Sequence, residues 1–156
     1  MSRGLKGFVL ALATLLAGTA VAAERPGKAA IASAHYLATE AGHEVLEKGG
    51  NAFDAAIAVS AALAVVDQTS SGIGGGGFWV LHRAEDGFEV MIDGREQAPA
   101  ASNRDMVLNE DGSVNRDLAV NGPLAAGIPG EIAALAHIAE HYGRLPLAES
   151  LAPAVR

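Results

Sequence analysis

The string Ser70-Ser71-Gly72-Ile73-Gly74-Gly75-Gly76-Gly77-Phe78 contains the pattern G-x-G-x-x-G, and its flanks decide what that pattern means. In a dinucleotide-binding unit the glycines follow a strand and open a helix, so that the pyrophosphate meets the helix N-terminus. Here the order is reversed. Ala52 to Val66 precedes the loop and reads as a helix, and Phe78 onward reads as a strand. Asp93 lies near the distance at which a ribose-binding acid is expected, but the reversed context removes its meaning. No Gly-Lys-Ser/Thr follows, so the loop is not a phosphate-binding P-loop either. The remaining reading is a crossing where backbones approach too closely for side chains, over Gly74 to Gly77.

Upstream, Ala52 to Val66 is apolar nearly all round and rich in alanine, which predicts a buried helix that neighbours can approach closely. At fifteen residues it is too short for the roughly 20 that span a bilayer. Asn51 reads as its N-cap, and Asp54 falls in its first turn, where a carboxylate suits the helix dipole. Gly49-Gly50 stops an earlier helix, read from Ala38, with Leu37, Ala41, Val45 and Leu46 on one face. Lys28 to Ala34 is an apolar run expected to form a buried strand. Downstream, Phe78 to Leu81 and Phe88 to Ile92 flank the turn Glu85-Asp86-Gly87 and predict a hairpin. Glu131 to His141 predicts an amphipathic helix with Ile132, Leu135, Ala136 and Ile138 inward, and another helix begins at Leu147. The absence of any stop signal before Arg156 points to a fragment of a longer protein.

The first 23 residues stand apart. Arg3 and Lys6 precede an apolar run from Phe8 to Leu16, and Ala20-Val21-Ala22-Ala23 supplies small residues for a cleavage site. This is the layout of a signal peptide, with the mature chain expected over 24–156 and exported to the periplasm or medium. Its loss removes two basic residues and no acid, taking the formal charge from −7 to −9. An acidic chain argues against nucleic acid, which needs clustered Lys and Arg. With 50% hydrophobic residues, the chain is not disordered. The absence of cysteine excludes disulfides, iron–sulfur ligation and thiolate zinc sites. No membrane span is expected once the signal is cleaved.

Few residues offer chemistry. His35, His43, His82, His137 and His141 are scattered, and His137 with His141 lacks the H-E-x-x-H spacing of a zinc helix. No metal and no cofactor is expected. Arg95 follows the second hairpin strand between Asp93 and Glu96. A strand-end loop suits a binding residue, and the arginine fork matches a carboxylate. The competing reading is a surface ion pair with an acidic neighbour, worth little.

Several strings taken together resemble the gamma-glutamyltransferase (gamma-glutamyltranspeptidase) family. They are Gly49-Gly50-Asn51-Ala52-Phe53-Asp54-Ala55-Ala56, the glycine string through Phe78, Arg95-Glu96-Gln97-Ala98-Pro99, Gly127-Ile128-Pro129-Gly130, and Tyr142-Gly143 to Pro146. The resemblance runs from about Ala30 to the C-terminus. One departure is Gly94, where the family often carries an aromatic residue before the arginine; this weakens the local packing argument slightly and leaves the arginine in place.

The resemblance implies an α+β fold, the αββα sandwich of N-terminal-nucleophile hydrolases, present here as an incomplete N-terminal portion of the large subunit. It implies a precursor that cuts itself into large and small subunits. The small subunit's N-terminal Thr then attacks the gamma-glutamyl amide of glutathione or a related compound, and water, an amino acid or a peptide accepts the glutamyl group. Arg95 would clamp the substrate α-carboxylate. The threonines here, Thr14, Thr19, Thr39 and Thr69, lack the autocleavage context, so no catalytic residue is expected in this fragment and it is expected to be inactive alone. The alternatives are a cephalosporin-acylase-like or poly-gamma-glutamate-processing relative, or a truncated non-catalytic remnant.

Overall fold

The computed structural model describes residues 29–156. The expected signal peptide over 1–23 lies outside the described residues. The architecture below is that of the compact unit over residues 31–156.

Helix α1 spans Tyr36–Glu47, two residues earlier than the expected start at Ala38. The cause is His35, whose ring Nδ1 accepts the Leu37 N–H at 3.2 Å and serves as N-cap. The predicted glycine stop is a Schellman closure. Gly49 takes φ +94°, its N–H reaches the Leu46 carbonyl, and the Gly50 N–H reaches that of Val45, both at 3.0 Å. Helix α2, Ala52–Val66, opens with a reciprocal cap. Asn51 Oδ1 accepts from Phe53 and Asp54 N–H, while Asp54 Oδ2 accepts from Asn51 N–H at 2.8 Å.

The α1–α2 hairpin buries Ala38, Ala41, Val45, Ala58 and Ala62 against one another. Gly42 belongs to the same close approach, since a Cβ there would lie 2.7 Å from Ile31 Cδ1 and 2.9 Å from Val59 Cγ2. That contact explains a correction. The expected strand over 28–34 does not form in its described part, and the described sheet has two strands. Ile31 finds its apolar partner on α1 instead of in a ladder.

Strands β1 (Phe78–Arg83) and β2 (Phe88–Asp93) form the predicted antiparallel hairpin, with Phe78 opposite Asp93 and Leu81 opposite Val90. Gly87, at φ +70°, makes the turn, and Asp86 locks it by taking both Arg83 Nε and Nη2. The inward face places Leu81 in a second core cluster with Ile57 of α2, and Trp79, Val90 and Ile92 pack against it. The outward face leaves Phe78, Val80 and Met91 exposed.

A long connection follows, with a short helix α3 (Arg116–Val120) and a 3-10 turn at Pro123–Ala125. Helix α4 spans Glu131–Tyr142 and α5 spans Leu147–Val155. On α4 the expected stripe is rotated: Leu135 and Ile138 are buried, but Ile132 is 48% exposed and Glu131 only 8%. The α4–α5 turn is tied back to α2. Asn51 Nδ2 donates to the Tyr142 carbonyl at 2.7 Å, and Asp54 accepts the N–H groups of Arg144 and Leu145. Asp54 is thus a fully buried hub. Asp54 lies in the first turn of α2 as its position in the sequence predicts, and its partners at Arg144 and Leu145 come from a segment ninety residues away. Among the described residues, no helix is long and apolar enough to cross a membrane.

Candidate functional site

Three glycine-bearing segments converge on Arg95. The first is the glycine loop, which continues the hairpin ladder: Gly77 and Gly94 exchange backbone hydrogen bonds at 3.3 and 3.0 Å. A Cβ at Gly76 would lie 2.6 Å from the Gly94 oxygen and 2.7 Å from Arg95 Cα. A Cβ at Gly77 would strike the Trp79 ring at 2.8 Å. Gly72 and Gly74 face open space, and Gly75 meets mainly the flexible end of Glu96. Close packing is therefore confined to Gly76 and Gly77 and does not extend over all of Gly74 to Gly77.

The second segment is the entrance to α4. Gly130 could not carry a Cβ without striking the carbonyls of both Gly94 and Arg95. The Gly130 and Glu131 N–H groups both donate to the Gly75 oxygen, at 3.1 and 3.3 Å. This single acceptor joins the helix start to the glycine loop and satisfies two of the donors a helix N-terminus leaves free. The third segment is 127–128. Gln97 and Ile128 exchange backbone hydrogen bonds at 3.0 and 2.8 Å, and a Cβ at Gly127 would lie 2.9 Å from Glu96 Cβ. The Arg95 backbone is thus gripped from both sides by residues that must lack a side chain.

Gly94 is part of that grip. It is buried, and a Cβ there would meet Ala134 Cβ at 2.6 Å and the Trp79 ring at 2.8 Å. Trp79 and Ala134 fill the space beside Gly94.

The Arg95 side chain itself is exposed. The surface ion pair weighed against a binding role does not form. Asp93 Oδ1 accepts the Arg95 backbone N–H at 3.0 Å, and no ion pair among the described residues engages the guanidinium. Arg95 borders a pocket of about 320 Å³ that it shares with Gln97, Pro129 and His137. A rigid backbone holding a free planar fork is what bidentate carboxylate recognition requires.

On the other side of the glycine loop lies a pocket of about 540 Å³, bordered by the loop, Ser60, Trp79, Glu96 and Glu131. It opens between a helix and a strand, in the order that disfavours a nucleotide, and carboxylates rather than basic side chains border it. Burial, and then the charge of Glu96, push the Glu131 carboxyl above its ordinary value. The sequence reading missed Glu131. An acid at the first position of a helix looks like a dipole partner, and only the contact with the glycine loop shows that it is buried.

His137 and His141 stack at 4.0 Å on the exposed side of α4, with His141 Nδ1 bonded to the His137 carbonyl at 2.9 Å. Among the described residues no three His, Cys, Asp or Glu side chains form a group that could hold a metal.

Comparison with known proteins bears on the same segments. The family profile for gamma-glutamyltranspeptidase matches residues 38–156. A glutathione hydrolase proenzyme from Pseudomonas sp. (strain A14) is 41% identical over 125 residues, covering 80% of this chain and 22% of that protein. Among solved structures, a gamma-glutamyltranspeptidase from Pseudomonas nitroreducens superposes with a TM-score of 0.78 at 39% identity, over 83% of this chain and 38% of that one. A cephalosporin acylase from Bacillus halodurans superposes less well, at 0.61 and 36% identity, over 77% of this chain and 22% of that one. The chain spans about a fifth of the length of the curated relatives it matches.

Proposed function

This chain belongs to the gamma-glutamyltranspeptidase family, with its N-terminal-nucleophile hydrolase fold, and on that premise we propose that it forms the N-terminal part of the large subunit of an enzyme that cleaves gamma-glutamyl amides such as glutathione. In this reading an N-terminal Thr of a small subunit, released from the same precursor, forms a glutamyl-enzyme ester, which water or an amino-acid or peptide acceptor then resolves. The observation that carries it is the free guanidinium of Arg95 on a backbone fixed by Gly76 and Gly130.

The chemistry divides between the two parts. A hydroxyl nucleophile needs an adjacent base, and an N-terminal Thr carries its own amine. Thr39 and Thr69 sit inside the chain, and the Thr39 hydroxyl is engaged by Ser33 Oγ at 2.8 Å. That supports a nucleophile outside this segment. The work of Arg95 is positioning: its guanidinium stays charged and moves no proton. Gripping the α-carboxylate fixes the glutamyl end, so that the γ-amide meets the hydroxyl at bonding distance. The signal-like start supports export to the periplasm or medium.

The test is to purify the full-length precursor and assay a gamma-glutamyl anilide with and without a dipeptide acceptor. Two subunit bands and anilide release support the reading. A matured protein that ignores gamma-glutamyl amides but deacylates a cephalosporin side chain would transfer the assignment to the acylase-like alternative, which the lower structural similarity disfavours.

A further inference from the structure

The C-terminal half of α4 carries two histidines that the carboxylate-clamp reading leaves unused. His137 and His141 lie four residues apart, an interval that brings side chains together on one helix face. Both are exposed, and their ring centroids are 4.0 Å apart with planes inclined by 27°. Tyr142 backs the pair, meeting the two rings at 6.0 and 6.2 Å. Tyr142 is itself packed on Phe53 at 5.8 Å and on Phe88 at 6.2 Å. His141 Nδ1 lies 2.9 Å from the His137 carbonyl oxygen. A carbonyl only accepts, so Nδ1 carries the hydrogen and, in the neutral ring, Nε2 keeps its lone pair. That is the kind of outer bond by which metal-binding histidines are oriented. Among the described residues no hydrogen bond engages the His137 ring, and neither His137 nor His141 forms an ion pair.

We propose that His137 and His141 chelate one borderline divalent cation, zinc or copper(II), between their imidazoles. Imidazole suits these ions, whereas magnesium and calcium take oxygen ligands. Two Zn–N bonds of about 2.0–2.1 Å meeting at a tetrahedral angle need nitrogens roughly 3.3 Å apart. Exposed rings that already stack at 4.0 Å reach that separation by turning about their side-chain bonds, with no movement of the helix. The place is favourable too. His141 lies in the last turn of α4, where the helix dipole attracts positive charge. A zinc helix presents its two histidines at this same interval, but Ile138 stands where such a helix carries its glutamate base. The pair therefore binds a metal without supplying a base for hydrolysis. Two protein ligands leave the other coordination positions to water, so the site is weaker than the four-ligand sites that hold structural zinc. The bound ion ties residue 137 to residue 141 and braces the end of α4, where the Tyr142 carbonyl accepts from Asn51 Nδ2. His137 also borders the pocket of Arg95, which puts the ion beside that pocket. The inference does not rest on the gamma-glutamyl reading and survives its failure.

The probe is zinc chloride, titrated by calorimetry into the full-length precursor purified without a histidine tag, with magnesium chloride at matched ionic strength as control. Binding by the double variant His137→Ala/His141→Ala is the baseline, so that other zinc ligands in the precursor cancel. A second baseline, His137→Gln/His141→Gln, covers any disturbance of the Tyr142 stack by alanine. Against either baseline the unsubstituted protein should show one additional zinc site per chain. Each single variant should weaken that site about tenfold or more, because one imidazole does not chelate. His43→Ala, exposed on α1, should leave it intact. Zinc should also raise the melting temperature of the unsubstituted protein more than that of either double variant, since an ion held by the folded helix adds to its stability. No additional site over the baselines, single variants that each keep a site of unchanged affinity, or equal binding of magnesium would overturn the proposal.

Discussion

The Asp54 carboxylate accepts the Arg144 backbone N–H at 3.0 and 3.2 Å, across ninety residues of chain. It also accepts the N–H groups of Asn51 and Leu145. One buried side chain thus caps α2, fixes the α4–α5 turn and keeps α4 in place above the glycine loop.

From this hub, Asp54→Ala should cost about 3 kcal/mol or more, because it strands backbone donors in the interior. Asp54→Asn keeps one acceptor oxygen and should cost less. Gly143→Ala should also destabilise, since its Cβ would lie 2.6 Å from Asp54 Oδ1. Urea unfolding of the three variants checks the order, and an unchanged midpoint for Asp54→Ala would contradict it.

The glycine loop gives a paired comparison. Gly74→Ala enters open space and should change stability by no more than about 0.5 kcal/mol. Gly76→Ala must displace the Gly94–Arg95 backbone and should cost about 1–3 kcal/mol. Equal effects in thermal melts would show that the loop does not grip Arg95 through Gly76.

Arg83 holds Asp86 at the hairpin turn and lowers its pKa to about 2. A depressed carboxylate contributes stability above its unfolded pKa of about 3.9 and loses it as pH falls toward 2. A carboxyl ¹³C titration should place the Asp86 midpoint near 2, and Arg83→Ala should return it toward the ordinary carboxylate value. A midpoint that does not move in the variant would remove the ion pair as the cause.

Glu131 has the opposite sign. Its raised folded pKa favours the folded state below the unfolded value and withdraws that favour as pH rises through the folded one. Glu131→Gln should therefore raise the melting temperature near pH 7, with the gain shrinking toward pH 4. A gain that is constant with pH would assign the effect to packing rather than charge.

What the sequence disclosed was local. Gly49-Gly50-Asn51 announced a helix stop and a cap because both devices are built within six residues. The hairpin was legible for the same reason, through Asp86-Gly87. The glycines at 74 to 77 look alike in sequence, and only the approach of Gly94 and Arg95 makes Gly76 indispensable. The strand expected near Ile31 failed because an apolar run does not say whether a ladder or a helix will cover it. The burial of Glu131 and the second partners of Asp54 were hidden because each depends on a segment tens of residues away.

The clamp assigned to Arg95 is tested most directly by steady-state kinetics of Arg95→Ala and Arg95→Lys in the full-length enzyme on a gamma-glutamyl anilide, with the subunit bands followed on a gel. Loss of a charge-assisted bidentate contact to a buried partner costs about 2–5 kcal/mol. kcat/KM should therefore fall roughly 30- to several-thousand-fold in the Ala variant. Lysine should recover only part of it, since a point charge does not reproduce the fork. Self-cleavage should persist in both, because Arg95 acts on substrate and not on the precursor's own backbone. Near-normal kcat/KM in a fully cleaved Arg95→Ala enzyme would contradict the account.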